Sequence, residues 1–256
     1  MYLVKSCFKR DNIRKRKTIK VGTLTEYRDT EEQQIADKEE GMIDLSFDLN
    51  HFHMPLPLFN DLNGIFHSQS SFNLKKVKLQ PNPLFKNYIY AEKYHATTSL
   101  IKFNRYIFCI SELDKPDLCK NIFEKYDDYW YFPKDRTKLF GDSLASSILD
   151  EISKRVRSGE EIFTTNDITH PLEIRWYCNK IWYTPRKIFI DNAKLYKECN
   201  DIVYWLREGH MVKPDDFQHE KEMRFIFDIY SNGGLLQPLN KPLFVSAEKF
   251  LPLIKK

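Results

Sequence analysis

The chain has little of what announces the common chemistries. Only 8 of its 256 residues are glycine, and none of them form the clustered loop that cradles a phosphate. That weighs against a P-loop or a dinucleotide fingerprint. The five cysteines, Cys7, Cys109, Cys119, Cys178 and Cys199, contain no Cys-x-x-Cys pair and leave one over. They read as small apolar side chains of a reduced, intracellular protein rather than as a disulfide framework. No apolar run reaches membrane length, and the opening Met1-Tyr2-Leu3-Val4 is interrupted at once by Lys5. Neither a membrane span nor a signal peptide is expected, and the chain reads as cytoplasmic. Net charge is only +4, too mild for a general polyanion binder unless the charge is clustered. Lys9, Arg10, Arg14, Lys15, Arg16, Lys17 and Lys20 do cluster, either as a solvated segment or as a strip that attracts nucleic acid by counterion release.

What the chain has in quantity is aromatic side chains, 19 Phe and 14 Tyr, within an ordinary 42% hydrophobic and 30% charged composition. Its length suits one full core. Strand patterns recur at residues 18–24, 43–49, 105–111, 173–178, 186–190 and 243–245, with a clean apolar-polar alternation from Ile43 to Leu49. The Pro-rich stretch from His51 to Pro83 reads as loops around short strands that include 72–79, and residues 88–100 stay ambiguous. Helices are expected at 117–126, where Leu118, Ile122 and Tyr126 are spaced by four, and at 142–158. The second carries a Leu144-Ile148-Ile152-Val156 stripe, with Asp142 or Ser143 as cap and Gly159 as terminator. A helical turn is expected near 201–207. With no internal repeat and no linker, residues 1–256 read as a single α+β domain, a mixed, largely antiparallel sheet core with flanking helices.

The most informative stretch is Gln218-His219-Glu220-Lys221-Glu222-Met223-Arg224-Phe225-Ile226-Phe227. Strand alternation would place Glu220, Glu222 and Arg224 on one face and Met223, Phe225 and Phe227 on the other. Two acids in one small space raise each other's pKa unless something uses or neutralises them. They are either a catalytic Glu-x-Glu or a solvated pair offset by Arg224 and Lys221.

Two resemblances attach to these residues. Phe108-Cys109-Ile110-Ser111 and the later Phe217 to Arg224 stretch resemble landmarks of a large, functionally uncharacterised bacterial family. That family has a Ser-ending strand and a Glu-Lys-Glu-x-Arg strand. The order of Arg28, Ser111 and Glu220-Lys221-Glu222 also resembles mono-ADP-ribosyltransferases of the arginine-serine-glutamate class, in which these positions line an NAD cleft. This chain departs from the usual Ser-Thr-Ser by having Cys109-Ile110-Ser111.

The second resemblance implies an ADP-ribosyltransferase-like fold, NAD as substrate, and a toxin or phage-conflict role with an RNA, DNA or protein acceptor. An antitoxin or other partner protein is implied with it. Glu222 would stabilise an oxocarbenium-like ribose, Glu220 would orient or deprotonate the acceptor, and Ser111 would hold Glu222. Arg28, or Arg105 in its place, would hold the pyrophosphate, and Tyr27 or the cluster Tyr126, Tyr129, Trp130, Tyr131 would wall the nicotinamide.

Plainer roles stay open for the same residues. Ser111 also suits a turn or helix cap, Arg28 an ion pair with Glu26, Asp29 or Glu31, and the aromatic cluster a core or interface. A zinc site at His51-x-His53 lacks further ligands. A metal-dependent nuclease built on Asp215 and Glu220 lacks a lysine on the right face, and no metal is expected. A Cys109 nucleophile competes with a buried strand cysteine. Two other classes remain: a non-enzymatic interaction or nucleic-acid-binding protein, and a nucleotide-binding sensor without turnover.

Overall fold

Every strand pattern read from the sequence becomes a strand in the computed structural model, which describes residues 1–29, 37–64, 70–82, 85–165, 168 and 171–255. In chain order the strands are β1 (Tyr2–Cys7), β2 (Thr18–Thr23), β3 (Met42–Pro55), β4 (Ser71–Pro81), β5 (Tyr88–Ile101), β6 (Tyr106–Leu113) and β7 (Asp128–Pro133). They continue as β8 (Leu172–Lys180), β9 (Trp182–Tyr183), β10 (Lys187–Asp191), β11 (Val212–Lys213), β12 (Glu222–Ser231), β13 (Gly234–Leu236) and β14 (Leu243–Ser246). The α-helices are α1 (Ile13–Arg16), α2 (Glu26–Asp29), α3 (Leu56–Gly64), α4 (Thr137–Arg157) and α5 (Asn192–Glu208). The class is mixed α+β. Among the described residues no helix is long and apolar enough to cross a membrane.

The chain divides into two compact units, each assembled from separate segments. Unit 1 comprises Met1–Lys38, Asn104–Ile181 and Asp216–Lys256. Its sheet is antiparallel, with β12 between β8 and β6, then β1 and β7 beyond β6. β6 has two different neighbours along one edge: β1 pairs with residues 111–113 and β2 with residues 106–107. Between those pairings the ladder is open, and the Lys5 ammonium donates to the Cys109 carbonyl at 2.8 Å. One face of the sheet is apolar: Leu3, Phe108, Ile110, Met223, Phe225 and Phe227 pack against Phe140, Leu144, Ile148 and Ile152 of α4. Contact is closest at Gly141, where an added Cβ would lie 2.3 Å from the Trp176 ring. The indole of Trp176 also donates to Asp142 at 3.0 Å.

Unit 2 comprises Glu39–Phe103 and Trp182–Asp215. Its four-stranded sheet runs β10-β3-β5-β4, with β10 parallel to β3 and the other pairs antiparallel. β9 and β11 form a separate parallel pair. Ile43, Leu45, Phe47 and Leu49 of β3, with Tyr94 and Ala96 of β5, face Leu195, Ile202, Trp205 and Leu206 of α5 and Leu58 and Leu62 of α3. The opposite face is wet, as the alternation in β3 implies.

Two expected helices differ from the structure. Residues 117–126 form only a 3₁₀ turn, Pro116–Asn121, because the four-residue stripe does not share one buried face: Leu118 is 38% exposed, Ile122 packs with Cys119 against Val4 and Leu113, and Tyr126 packs on Phe8. The helix expected at 142–158 starts instead at Thr137, behind a 3₁₀ turn at Lys134–Arg136. Asp142 lies inside it, bonded to Lys138 and Trp176, and does not cap it. Its expected end stands, with Gly159 at φ +78° just beyond the last turn. Glu31 and Glu32, part of the acidic stretch before Gly41, lie outside the described residues.

Candidate functional site

Residues directly opposite each other in an antiparallel pair point to the same face of the sheet. On the face of unit 1 away from α4, Glu222 stands opposite Ser111, and Ser111 stands opposite Val4. One row along, Arg224 lies between Cys109 and Asn179. A hydroxyl and a carboxylate that are 111 positions apart in the chain are therefore neighbours on one ladder. Both are buried, Ser111 and Glu222 each 4% exposed.

The carboxylate has a cation two residues along its own strand. Arg224, 1% exposed, donates through Nε to Glu222 Oε1 at 2.7 Å. This is a short, charge-assisted bond away from water, the setting in which such a bond is strongest.

Tyr27 reaches the same face from α2. Thr23 and Glu26 close a reciprocal cap before that helix: Glu26 N–H donates to Thr23 Oγ1 at 3.3 Å and Thr23 N–H to Glu26 Oε2 at 3.4 Å. The helix is thereby anchored to the end of β2, and the Tyr27 ring lies across Gly22, where an added Cβ would sit 3.0 Å from the ring. Burial first, and then the neighbouring Cys109, Glu222 and Glu26, hold the Tyr27 hydroxyl well above the ordinary tyrosine value, against the opposing Arg224. At neutral pH it is a phenol that can donate a hydrogen bond.

Glu220, Arg28 and Arg105 complete the set of residues expected at the site, and of these Glu220 is placed differently from the strand reading. Glu220 closes a 3₁₀ turn, Asp215–Glu220, and Lys221 has a left-handed backbone at φ +48°. Strand alternation begins only at Glu222, so Glu220 does not share its face by alternation, although it is also buried at 4%. Arg28 follows Tyr27 in α2 and is half-buried. Arg105 lies at the other end of the sheet face, with its guanidinium 3.4 Å from both Asp228 Oδ2 and the Tyr177 hydroxyl. Asp228 lies six positions along the strand from Glu222, about 20 Å. Arg105 and Glu222 are not brought together.

The aromatic cluster is divided by its own strand. Trp130 points into the apolar core beside Phe108 and Phe132, whereas Tyr129 and Tyr131 pack on the other face around Val4, Leu113 and Cys119. Tyr126 packs instead on Phe8. Among the described residues no disulfide joins the five cysteines, and burial pushes the thiols of Cys7 and Cys178 up to about 12, so neither is a thiolate nucleophile. Among the described residues no group of three or more His, Cys, Asp or Glu is arranged to hold a metal. The basic residues of the 9–20 run are all exposed, and among them Arg14 donates to the Ile254 carbonyl at 2.5 Å, Arg16 pairs with Asp11 at 2.9 Å, and Lys20 with Glu26 at 2.5 Å.

Lys5 and Asn179 belong to none of the motifs in the sequence. A lysine interrupting an apolar stretch was the available signal for Lys5, whose ammonium lies 5.1 Å from the Phe108 ring centroid while it caps the open ladder at Cys109. Comparisons with family models, curated proteins and solved structures found no match.

Proposed function

We propose that the chain is an NAD-dependent ADP-ribosyltransferase with the arginine-serine-glutamate arrangement, transferring ADP-ribose to a nucleic-acid or protein acceptor in a toxin or phage-conflict role. The observation that carries this reading is the pairing of Ser111 with Glu222 on one sheet face, with Tyr27 beside them. Their Cβ atoms are about 5 Å apart, a spacing that a hydroxyl-carboxylate hydrogen bond can bridge. In the reaction the bond from ribose C1′ to nicotinamide breaks, and nicotinamide leaves with the electron pair. The acceptor forms the new bond to C1′ and loses a proton. A fixed carboxylate beside the ribose stabilises the positive charge that develops between those events. Glu222 takes that part, Ser111 positions it, Tyr27 offers a ring to nicotinamide, and Arg28 is the arginine assigned to the pyrophosphate. Glu220 is the candidate to orient the acceptor.

A second reading rests on the 2.7 Å contact between Arg224 and Glu222. In it the carboxylate exists to neutralise a buried guanidinium, and the protein is a non-enzymatic interaction module. Labelled NAD incubated with cellular RNA, DNA and protein separates the two. Transfer of label that Ser111→Ala reduces and Glu222→Gln abolishes, with both variants folded by circular dichroism, supports the transferase. No transfer and no NAD binding by the wild type sinks it, while tight binding without turnover makes the protein a nucleotide sensor.

A further inference from the structure

The solvent face of the unit 2 sheet can be written row by row from its register. Lys76 stands opposite His95, which stands opposite Asp48; Lys78 stands opposite Lys93, which stands opposite Asn50; Gln80 stands opposite Tyr90, which stands opposite His53. Opposed residues share a face, so lysines occupy the β4 side in two successive rows and rings occupy the third. Residues 71–101 contain five lysines and a single acid, Glu92, a surplus equal to the net +4 of the whole chain. Glu92 is bound by Lys78 at 2.6 Å. On the β3 side the carboxylates are engaged as well, Asp48 by His95 at 2.9 Å and Asp44 by Ser99 at 2.6 Å. The β4 side of the face is therefore positive on balance.

Beside the lysines lies a shelf of exposed rings. His51, with φ +51°, has its Nδ1 2.7 Å from the Tyr90 hydroxyl, and the His53 ring packs between Tyr90 and Phe85 at centroid distances of 5.2 and 6.0 Å. Phe85 in turn meets Tyr88 edge-on, and these two rings are 54% and 41% exposed. Asn82, 9% exposed, fixes the shelf from below: its side chain lies 2.6 Å from His53 Nδ1 and accepts from Phe85 N–H at 3.0 Å. The rings are held in place, with Tyr90 half-buried and Phe85, Tyr88, His51 and His53 left open to solvent.

We propose that this face of unit 2 binds single-stranded nucleic acid, with bases stacking on the Phe85-Tyr88-Tyr90 shelf and phosphates running past Lys76, Lys78 and Lys93. Stacking platforms flanked by a cationic track are the arrangement that holds single strands with little regard to sequence. A peptide added to the β4 edge is the competing occupant, and lysines along an edge strand act against strand addition. The proposal does not depend on transferase chemistry in unit 1.

Fluorescence anisotropy of the full chain with a labelled 20-nucleotide RNA, the matching single-stranded DNA and its duplex, at 50 and 200 mM salt, tests it. Wild type is expected to bind either single strand in preference to the duplex. Tyr90→Ala and Phe85→Ala should each weaken binding about tenfold. Lys76→Glu with Lys93→Glu should weaken binding further and flatten the salt dependence. Lys9→Glu with Lys15→Glu makes the same charge change on the basic run and should leave affinity within about twofold. Matching far-ultraviolet circular dichroism and thermal melting confirm that each variant is folded. No binding by wild type at 50 mM salt overturns the proposal, as does loss of binding in the Lys9/Lys15 variant rather than the unit 2 variants, or equal affinity for duplex.

Discussion

In unit 1 the polar face of β12 is closed to water, with Glu222 4% and Arg224 1% exposed, whereas on the polar face of β3 in unit 2 the Asp48 carboxylate is 47% exposed and its partner His95 33%. Both faces arise from the same alternation of apolar and polar residues. What differs is cover. α2 brings Tyr27 over part of the unit 1 face, and the turn at Pro116–Asn121 packs Cys119 on Val4 and Leu113 farther along it, while the rings and lysines of unit 2 lie open. Closure turns each charge into a specific, expensive group whose partner matters. Openness makes each charge weak singly and useful collectively, as a field that salt can screen.

The largest effect expected from this contrast is at Arg224. Arg224→Leu leaves Glu222 buried without its guanidinium and should lower the unfolding free energy by about 3–5 kcal/mol in urea denaturation. Adding Glu222→Met removes both charges and should recover most of that loss, because a well-packed apolar pair avoids the desolvation cost. Recovery of stability together with loss of NAD turnover would assign the pair to function rather than to folding. A cost below about 1 kcal/mol for Arg224→Leu would mean that the face is wet, and the contrast with unit 2 would collapse.

Glu112 stands between the extremes. It is 7% exposed, accepts from Lys134, and pairs with Lys180 at 2.7 Å, but those lysine side chains are 36% and 66% exposed. Burial pushes its carboxyl up, and the two ammoniums outweigh that and hold it below the usual carboxylate range. A carboxylate depressed on folding stabilises the fold above its unfolded pKa, and the contribution drains away as pH falls through the folded value. Glu112→Gln should therefore cost about 1–2 kcal/mol at pH 7, discounted for the solvated lysines. Wild type and variant should converge as pH falls below about 4. Parallel stability curves down to pH 2 would disprove the linkage.

The sequence disclosed the strands well because period-two alternation survives any tertiary setting, as at Ile43 to Leu49. It disclosed the helices less well because a stripe is a helix only when something covers it, and Leu118 has no cover while Phe140 and Gly141 do. The relation of Ser111 to Glu222 rested on their order along the chain, and register between strands far apart in sequence is not written locally. Glu220 was misread because the left-handed turn at Lys221 breaks alternation one residue before the strand, a position without glycine to announce it. The separation of Arg105 from Glu222 was equally hidden: it depends on which end of β6 faces which end of β12.

The smallest effect is expected at Asp48, and it tests the open half of the comparison. Its carboxylate meets His95 at 2.9 Å, close to the Glu222–Arg224 distance of 2.7 Å, so geometry alone would give the two contacts similar weight. Exposure separates them, because water already solvates Asp48 in the folded state and releasing the contact returns little to solvent. Asp48→Asn should therefore change the unfolding free energy by less than about 0.5 kcal/mol, and raising salt to 0.5 M should erase even that. A loss comparable to that of Arg224→Leu would show that the wet face is covered by a part of the protein or a partner, and the nucleic-acid surface would have to be sought elsewhere.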